Sequence, residues 1–85
     1  MKRGILVYDH MDQEWRIWIG QQAYLTMQGQ TVEIRIHHRY FKAYLEKDFD
    51  WFVTLDNEVS FTLRIYEIYK IRINIQDTIS VSTPF

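Results

Sequence analysis

Alternation is the property that most limits what this chain can fold into. Val32, Ile34 and Ile36 are separated by Glu33 and Arg35; Val59, Phe61, Leu63 and Ile65 by Ser60, Thr62 and Arg64; Ile71, Ile73 and Ile75 by Arg72 and Asn74. A β-strand turns successive side chains to opposite faces, so each run sends one face into a core and the other towards water. The helical alternative fares badly, because β-branched and aromatic residues crowd these runs while strong helix formers are scattered. Only in Phe41–Glu46 does helix compete. The expected fold class is all-β, a small antiparallel barrel or highly bent sheet of about five to seven strands.

Punctuation divides the runs. Lys2–Tyr8 is rich in strand formers, and Asp9-His10-Met11-Asp12-Gln13 is a polar turn into Glu14–Ile19, where Trp15, Ile17 and Ile19 alternate with Arg16 and Trp18. The two read as a hairpin. Gly20 punctuates again, and Ala23, Leu25 and Met27 continue the apolar alternation up to Gln28-Gly29. Gly29 can take the positive φ of a tight turn into Thr31–Ile36. Thr31–Lys47 then changes phase, from even-numbered apolar positions through Ile36 to odd ones at Phe41, Ala43 and Leu45. A one-residue slip would turn every side chain to the wrong face, so a turn or bulge belongs within His37-His38-Arg39-Tyr40, and a hairpin is expected there.

Asp48-Phe49-Asp50 makes the next turn, Trp51–Leu55 the next strand and Asp56-Asn57-Glu58 another turn. From Val59 to Ile75 the alternation breaks at Glu67. That predicts two strands joined near Tyr66–Tyr69, where Ile68 and Tyr69 can close a short 3₁₀ turn, or one long bent strand. Thr78–Ser82 alternates weakly, Pro84-Phe85 is expected to fray, and residues 77–85 read as a tail.

At 85 residues the chain reads as a single β domain over residues 1–85, able to bury roughly 60–65% of its unfolded surface. Three Trp, six Tyr and five Phe thicken that core, since each large ring buries on the order of 150–250 Å². Cysteine is absent, which excludes a disulfide scaffold and a thiolate zinc site. The apolar run near the N-terminus ends at Asp9, short of the ~7–15 residues of a secretory signal core, and reads as the first strand. No stretch reaches the ~20 apolar residues of a membrane-spanning helix, so a cytoplasmic protein without a membrane partner is expected. A net charge of −1 argues against gross attraction to nucleic acid or anionic lipid and leaves local patches open.

A series of short motifs runs along the chain: Gly4-Ile5-Leu6 with Tyr8-Asp9, Trp15-x-Ile17, Gly29 leading into Val32-Glu33-Ile34-x-Ile36, then Tyr40, Leu45-Glu46, Trp51-Phe52-Val53 and Ile71-Arg72-Ile73. Between Gly4 and Ile73 this resembles a family of short bacterial proteins classified only as a domain of unknown function, seen largely in Gram-positive bacteria and their mobile elements. Two departures stand out. His37-His38 occupies a place where members of that family carry small turn residues, and Val59–Tyr69 is long. The resemblance implies a small, SH3-like, partly open barrel, and brings no catalytic or binding residues with it.

The residues offer few starting points for chemistry. On a regular strand the adjacent His37 and His38 would point to opposite faces and could not share an ion. Exposed turn histidines are the plainer reading, and neither a metal nor any other cofactor is expected. His37 as general base, Glu33 or Glu46 as its partner, and Arg35 or Arg39 on a phosphate would suit RNA cleavage if they converged. Gly-rich phosphate loops, dinucleotide fingerprints and Ser–His–Asp logic are all missing from the sequence, so the chain is expected not to be an enzyme.

The water-facing set is richer. Tyr8, Arg16, Trp18, Tyr24, Tyr40, Lys42, Tyr44, Arg64, Tyr66 and Arg72 fall mostly out of phase with the aliphatic positions. Tyr, Trp and Arg are the usual anchors of a protein interface. The same mixture can stack bases and neutralise phosphates, or merely brace strand surfaces through cross-strand pairs. The leading expectation is an accessory module binding another protein through this aromatic and Arg face. A single-stranded RNA- or DNA-binding barrel comes second, and a small ribonuclease-like protein third. A contiguous basic groove would favour nucleic acid, and a flat apolar-aromatic patch of mixed charge would favour protein. An open strand edge would also invite self-association, unless Lys70, Arg72 and Asn74 blunt it or Ile79–Val81 covers it in cis or in a second subunit.

Overall fold

The computed structural model describes residues 1–56 and 59–81. Its strands are β1 (Lys2–Asp9), β2 (Glu14–Ile19), β3 (Gln22–Leu25), β4 (Thr31–Ile36), β5 (Arg39–Lys47), β6 (Trp51–Leu55), β7 (Val59–Thr62) and β8 (Tyr69–Ile73), followed by a 3₁₀ turn at Ile75–Asp77. They form one antiparallel sheet in the order β3-β2-β1-β8-β4-β5-β6-β7. The all-β expectation stands. The strand number is eight rather than five to seven, and the sheet is open, since β3 and β7 end it without pairing to each other among the described residues.

The sheet is nevertheless strongly curled. β2 and β6 are separated by four strands in sheet order, which in a flat sheet would hold them roughly 24 Å apart. Yet Trp15 of β2 and Trp51 of β6 line the same 170 Å³ cavity with Leu63. Curling closes one face over a single core of Leu6, Trp15, Ile17, Val32, Ile34, Ala43, Leu45, Trp51, Val53, Leu63, Ile71 and Ile73. Each large aliphatic side chain in it contributes on the order of 1.5–3 kcal/mol by leaving water. Tyr8 and Tyr69 set their rings against Trp15, with centroids 5.5 and 6.0 Å away.

Turn chemistry sets the phase of each strand. The β4–β5 hairpin turns on His37-His38 with Ile36 opposite Arg39, which pairs even residues with odd ones and accounts for the change of phase. His37 takes a φ of +58° there, a left-handed conformation costing a non-glycine residue about 1–2 kcal/mol. Gly29 has a φ of +83° in the turn closed by the Gln30 N–H on the Met27 carbonyl at 3.2 Å, as a type II turn requires.

One phase differs from expectation. Gly20, at φ +60°, and Gln21 form a two-residue turn that sets Ile19 opposite Gln22 and Ile17 opposite Tyr24. The odd, inward set of β2 therefore meets the even set of β3. Tyr24 packs against the core, and Ala23 and Leu25 share the outer face with Trp18 and Arg16.

Two further segments depart from the alternation. Ile65 and Ile75, at 40% and 44% exposed, lie beyond the ends of their strands, so the connection from β7 to β8 spans Leu63–Ile68 and bends at Ile65-Tyr66. The described part of the tail, through Val81, is anchored. Leu25 N–H donates to the Ile79 carbonyl at 2.8 Å and Val81 N–H to the Ala23 carbonyl at 3.0 Å, which sets Ser80 beside Tyr24. The buried Gln30 holds the approach: its Nε2 donates to the Asp77 carbonyl at 3.3 Å, and its Oε1 accepts from the Met27 N–H at 3.1 Å. Asn57, Glu58 and residues 82–85, on which turn and tail expectations fell, lie outside the described residues.

Candidate functional site

The outer face of the sheet gathers residues from strands distant in sequence. Trp18 pairs with Ile5 across β2 and β1, and Ile5 pairs with Lys70 across β1 and β8. On the other half, Arg35 of β4 pairs with Tyr40 of β5. All of these line one open depression of about 420 Å³, together with Arg3 and the backbone at Gly4 and Gly20. The result is a stripe across the middle of the sheet with an aromatic ring at each end and cations between. At ~4.8 Å per strand, Trp18 and Tyr40 stand at most about 19 Å apart along it.

Electrostatically this stripe is one-sided. Its lining includes Arg3, Arg35 and Lys70 and no carboxylate, and none of the three forms a salt bridge among the described residues. Arg35 spends one donor locally, from Nε to the His37 carbonyl at 2.9 Å, which ties it to the strained turn. In the neighbouring row, Arg72 lies between Arg3 and Glu33 in the register, is neutralised by Glu33, and lies over the Tyr40 ring with its guanidinium carbon 4.0 Å from the centroid. Arg72 therefore holds Tyr40 in place. Gly4 fits the stripe closely to β2, since a Cβ there would stand 2.5 Å from the Trp18 carbonyl oxygen.

The sequence-derived set divides. Trp18, Tyr40, Lys42, Tyr44 and Arg72 share the outer face, where Lys42 Nζ lies 5.6 Å from the Tyr44 ring centre. Arg16 is on that face but engaged, with its side chain 13% exposed, paired with Asp12 at 3.5 Å and donating to the Trp15 carbonyl. Tyr24 faces the core side, as does Tyr8, whose ring is edge-on to His10 and Trp15.

Arg64 and Tyr66 lie in the β7–β8 connection at one end of the molecule. There Tyr66, 87% exposed, stacks on His10 with centroids 5.8 Å apart. Arg3, Ile5, Arg35 and Lys70, all absent from the sequence-derived binding set, belong to the stripe. Their only sequence signal is being out of phase with Leu6, Ile34 and Ile71, and the registers of β1, β4 and β8 are needed to use it. Both carboxylates of the cleavage arrangement have partners: Glu33 pairs with Arg72, and Glu46 accepts from Thr54 Oγ1 at 2.7 Å. Among the described residues no group of three or more His, Asp or Glu could hold a metal.

No family model matches the chain, and comparison with curated proteins and with solved structures finds no match either.

Proposed function

We propose that the protein binds single-stranded nucleic acid across the outer face of its sheet. The observation carrying this reading is the stripe from Trp18 to Tyr40, with Lys70 and Arg35 between the rings, Arg3 beside them in the next row, and no carboxylate in the lining. Rings at each end suit base stacking, and guanidinium and ammonium groups between them suit the backbone phosphates. Stacking is worth about 1–3 kcal/mol per base and tolerates any sequence. The contiguous basic, aromatic-flanked surface favours nucleic acid over the flat mixed-charge patch that a protein contact on this face would use.

Tryptophan fluorescence tests this directly. Trp15 and Trp51 are 3% and 9% exposed and Trp18 is 38% exposed, so Trp18 reports on the outer face. Titration with short single-stranded RNA and DNA is expected to quench it, and the affinity is expected to fall with salt at a log–log slope near −2, from about −0.7 per contacted phosphate at three cations. An unchanged spectrum at low salt, with no change in anisotropy of a labelled oligonucleotide, overturns the reading.

A second reading, contact with another protein, draws on a different surface. Met11, Phe49 and Tyr66 are 92%, 96% and 87% exposed, at the end where the β1–β2 turn, the β5–β6 turn and the β7–β8 connection meet. Asp9, Asp12, Asp48, Asp50 and Glu67 outnumber Lys47 and Arg64 at this end, so the exposed Phe49 and Tyr66 rings suit a cationic, apolar segment. Binding of oligonucleotide with loss of neither affinity nor salt dependence in a Phe49→Ser variant separates the two surfaces.

A further inference from the structure

The two edges of the sheet are finished differently. β3 is covered in cis, where the tail places Ser80 beside Tyr24 through two backbone hydrogen bonds. β7 pairs on one side only, with β6, among the described residues. Proteins blunt such edges with Lys, Pro, a bulge or a covering segment, and Val59-Ser60-Phe61-Thr62 has no Lys, no Pro and no charge. Three of these residues are exposed, and Phe61 is half-buried.

The ladder fixes which backbone groups face outward. Leu63 N–H donates to the Trp51 carbonyl at 2.9 Å, so Leu63 and Trp51 are a hydrogen-bonded pair. Bonded pairs alternate along an antiparallel ladder. With Phe61 opposite Val53 and Val59 opposite Leu55, Val59 and Phe61 direct their N–H and C=O groups to β6. Ser60 and Thr62 direct theirs away from it.

We infer that Val59–Thr62 pairs antiparallel with the same strand of a second copy. Phe61 stands at the dyad opposite its own counterpart, and each Ser60 lies opposite the other copy's Thr62. The two residues with outward backbone groups thus meet each other twice, so each N–H finds a carbonyl across the dyad. The occupant is a second copy because the strand is self-complementary in this register: it carries no like charges to oppose, and the outward backbone groups of Ser60 and Thr62 match each other across the dyad. A four-residue contact lies at the small end of interfaces, so the dimer is weak and exchanges rapidly.

Sedimentation velocity of the full chain from micromolar to millimolar concentration is expected to show a mass rising from the 10.5 kDa monomer towards twice that value. Hydrogen exchange at high concentration is expected to slow at the Ser60 and Thr62 amides and to stay unchanged at Val59 and Phe61. Ser60→Lys with Thr62→Lys places ammonium groups directly opposite one another across the dyad, and is expected to hold the chain monomeric with its circular dichroism unchanged. Ser60→Pro removes an outward N–H that β6 does not use and is expected to act in the same direction. A wild-type monomer at millimolar concentration overturns the inference, as does a double-Lys variant that dimerises as tightly as the wild type.

Discussion

The outer sheet face and the loop end carry similar rings with opposite charge. Trp18 and Tyr40 stand beside Arg3, Arg35 and Lys70 on the sheet, whereas Phe49, Met11 and Tyr66 stand near Asp9 at the end of β1 and Asp12, Asp48 and Asp50 in the turns. These carboxylates outnumber Lys47 and Arg64 there. The segregation has a backbone origin. Asp is poor in strands and good in turns, where its carboxylate accepts backbone N–H groups, as Asp9 does from Met11 at 2.9 Å. Arg and Lys tolerate strands because their long stems lie along the sheet. A net charge of −1 is thus the sum of two unlike regions, and that sum is the wrong quantity from which to infer partners.

Reversing charge on the sheet is the strongest way to break the contrast. Arg3→Glu with Lys70→Glu removes two charge-assisted contacts, each worth about 1.5–3 kcal/mol, so affinity for single-stranded oligonucleotide is expected to fall by at least ~100-fold. The salt slope should flatten with it. Fluorescence anisotropy of a labelled oligonucleotide at two ionic strengths measures both, and wild-type binding by the variant removes the stripe as the site.

Gly4→Ala tests whether the stripe depends on the close fit of β1 to β2. The new Cβ meets the Trp18 carbonyl oxygen at 2.5 Å, a backbone atom that yields only if the strands part. A stability loss of about 1–3 kcal/mol is expected, and the melting temperature should fall by about 4–8 °C per kcal/mol. A melting temperature equal to wild type would mean that β1 and β2 have room to separate.

Trp18→Ala sharpens the comparison by dividing stacking from charge. It is expected to cost about 1–3 kcal/mol of binding and to leave the salt slope as it is, because a ring releases no counterions. A changed slope in this variant would show that Trp18 acts by positioning the cations.

Much of the fold was legible in the alternation, and the site much less so. The phase change between Ile36 and Phe41 implied the hairpin at His37-His38, since only a turn of even length reconciles the two sets. The same logic failed at Gly20, where the apolar Ala23 and Leu25 suggested the core side and the two-residue turn placed Tyr24 there. Apolarity alone cannot distinguish the two faces of a short edge strand. The stripe was hidden for a different reason: it joins Trp18, Ile5, Lys70, Arg35 and Tyr40 from five strands, and the sheet order that brings them together inserts β8 between β1 and β4. That insertion has no local signature, because it depends on where a strand docks after the rest of the sheet exists.

The smallest effect is expected where the comparison says the two regions are independent. Asp48→Asn with Asp50→Asn removes two charges from the loop end and none from the stripe. The Asp48 N–H meets the Asp50 carbonyl through the backbone at 3.1 Å, so the turn's own hydrogen bond survives, and stability should stay within ~0.5 kcal/mol. Exposed charges act over about one Debye length, ~8 Å at physiological salt. Oligonucleotide affinity should therefore move by less than about twofold in buffer of that strength. A severalfold gain would mean that these carboxylates repel the bound strand, which places its path over the β5–β6 turn as well as the sheet. The loop end would then be part of the nucleic-acid surface rather than a separate contact for protein.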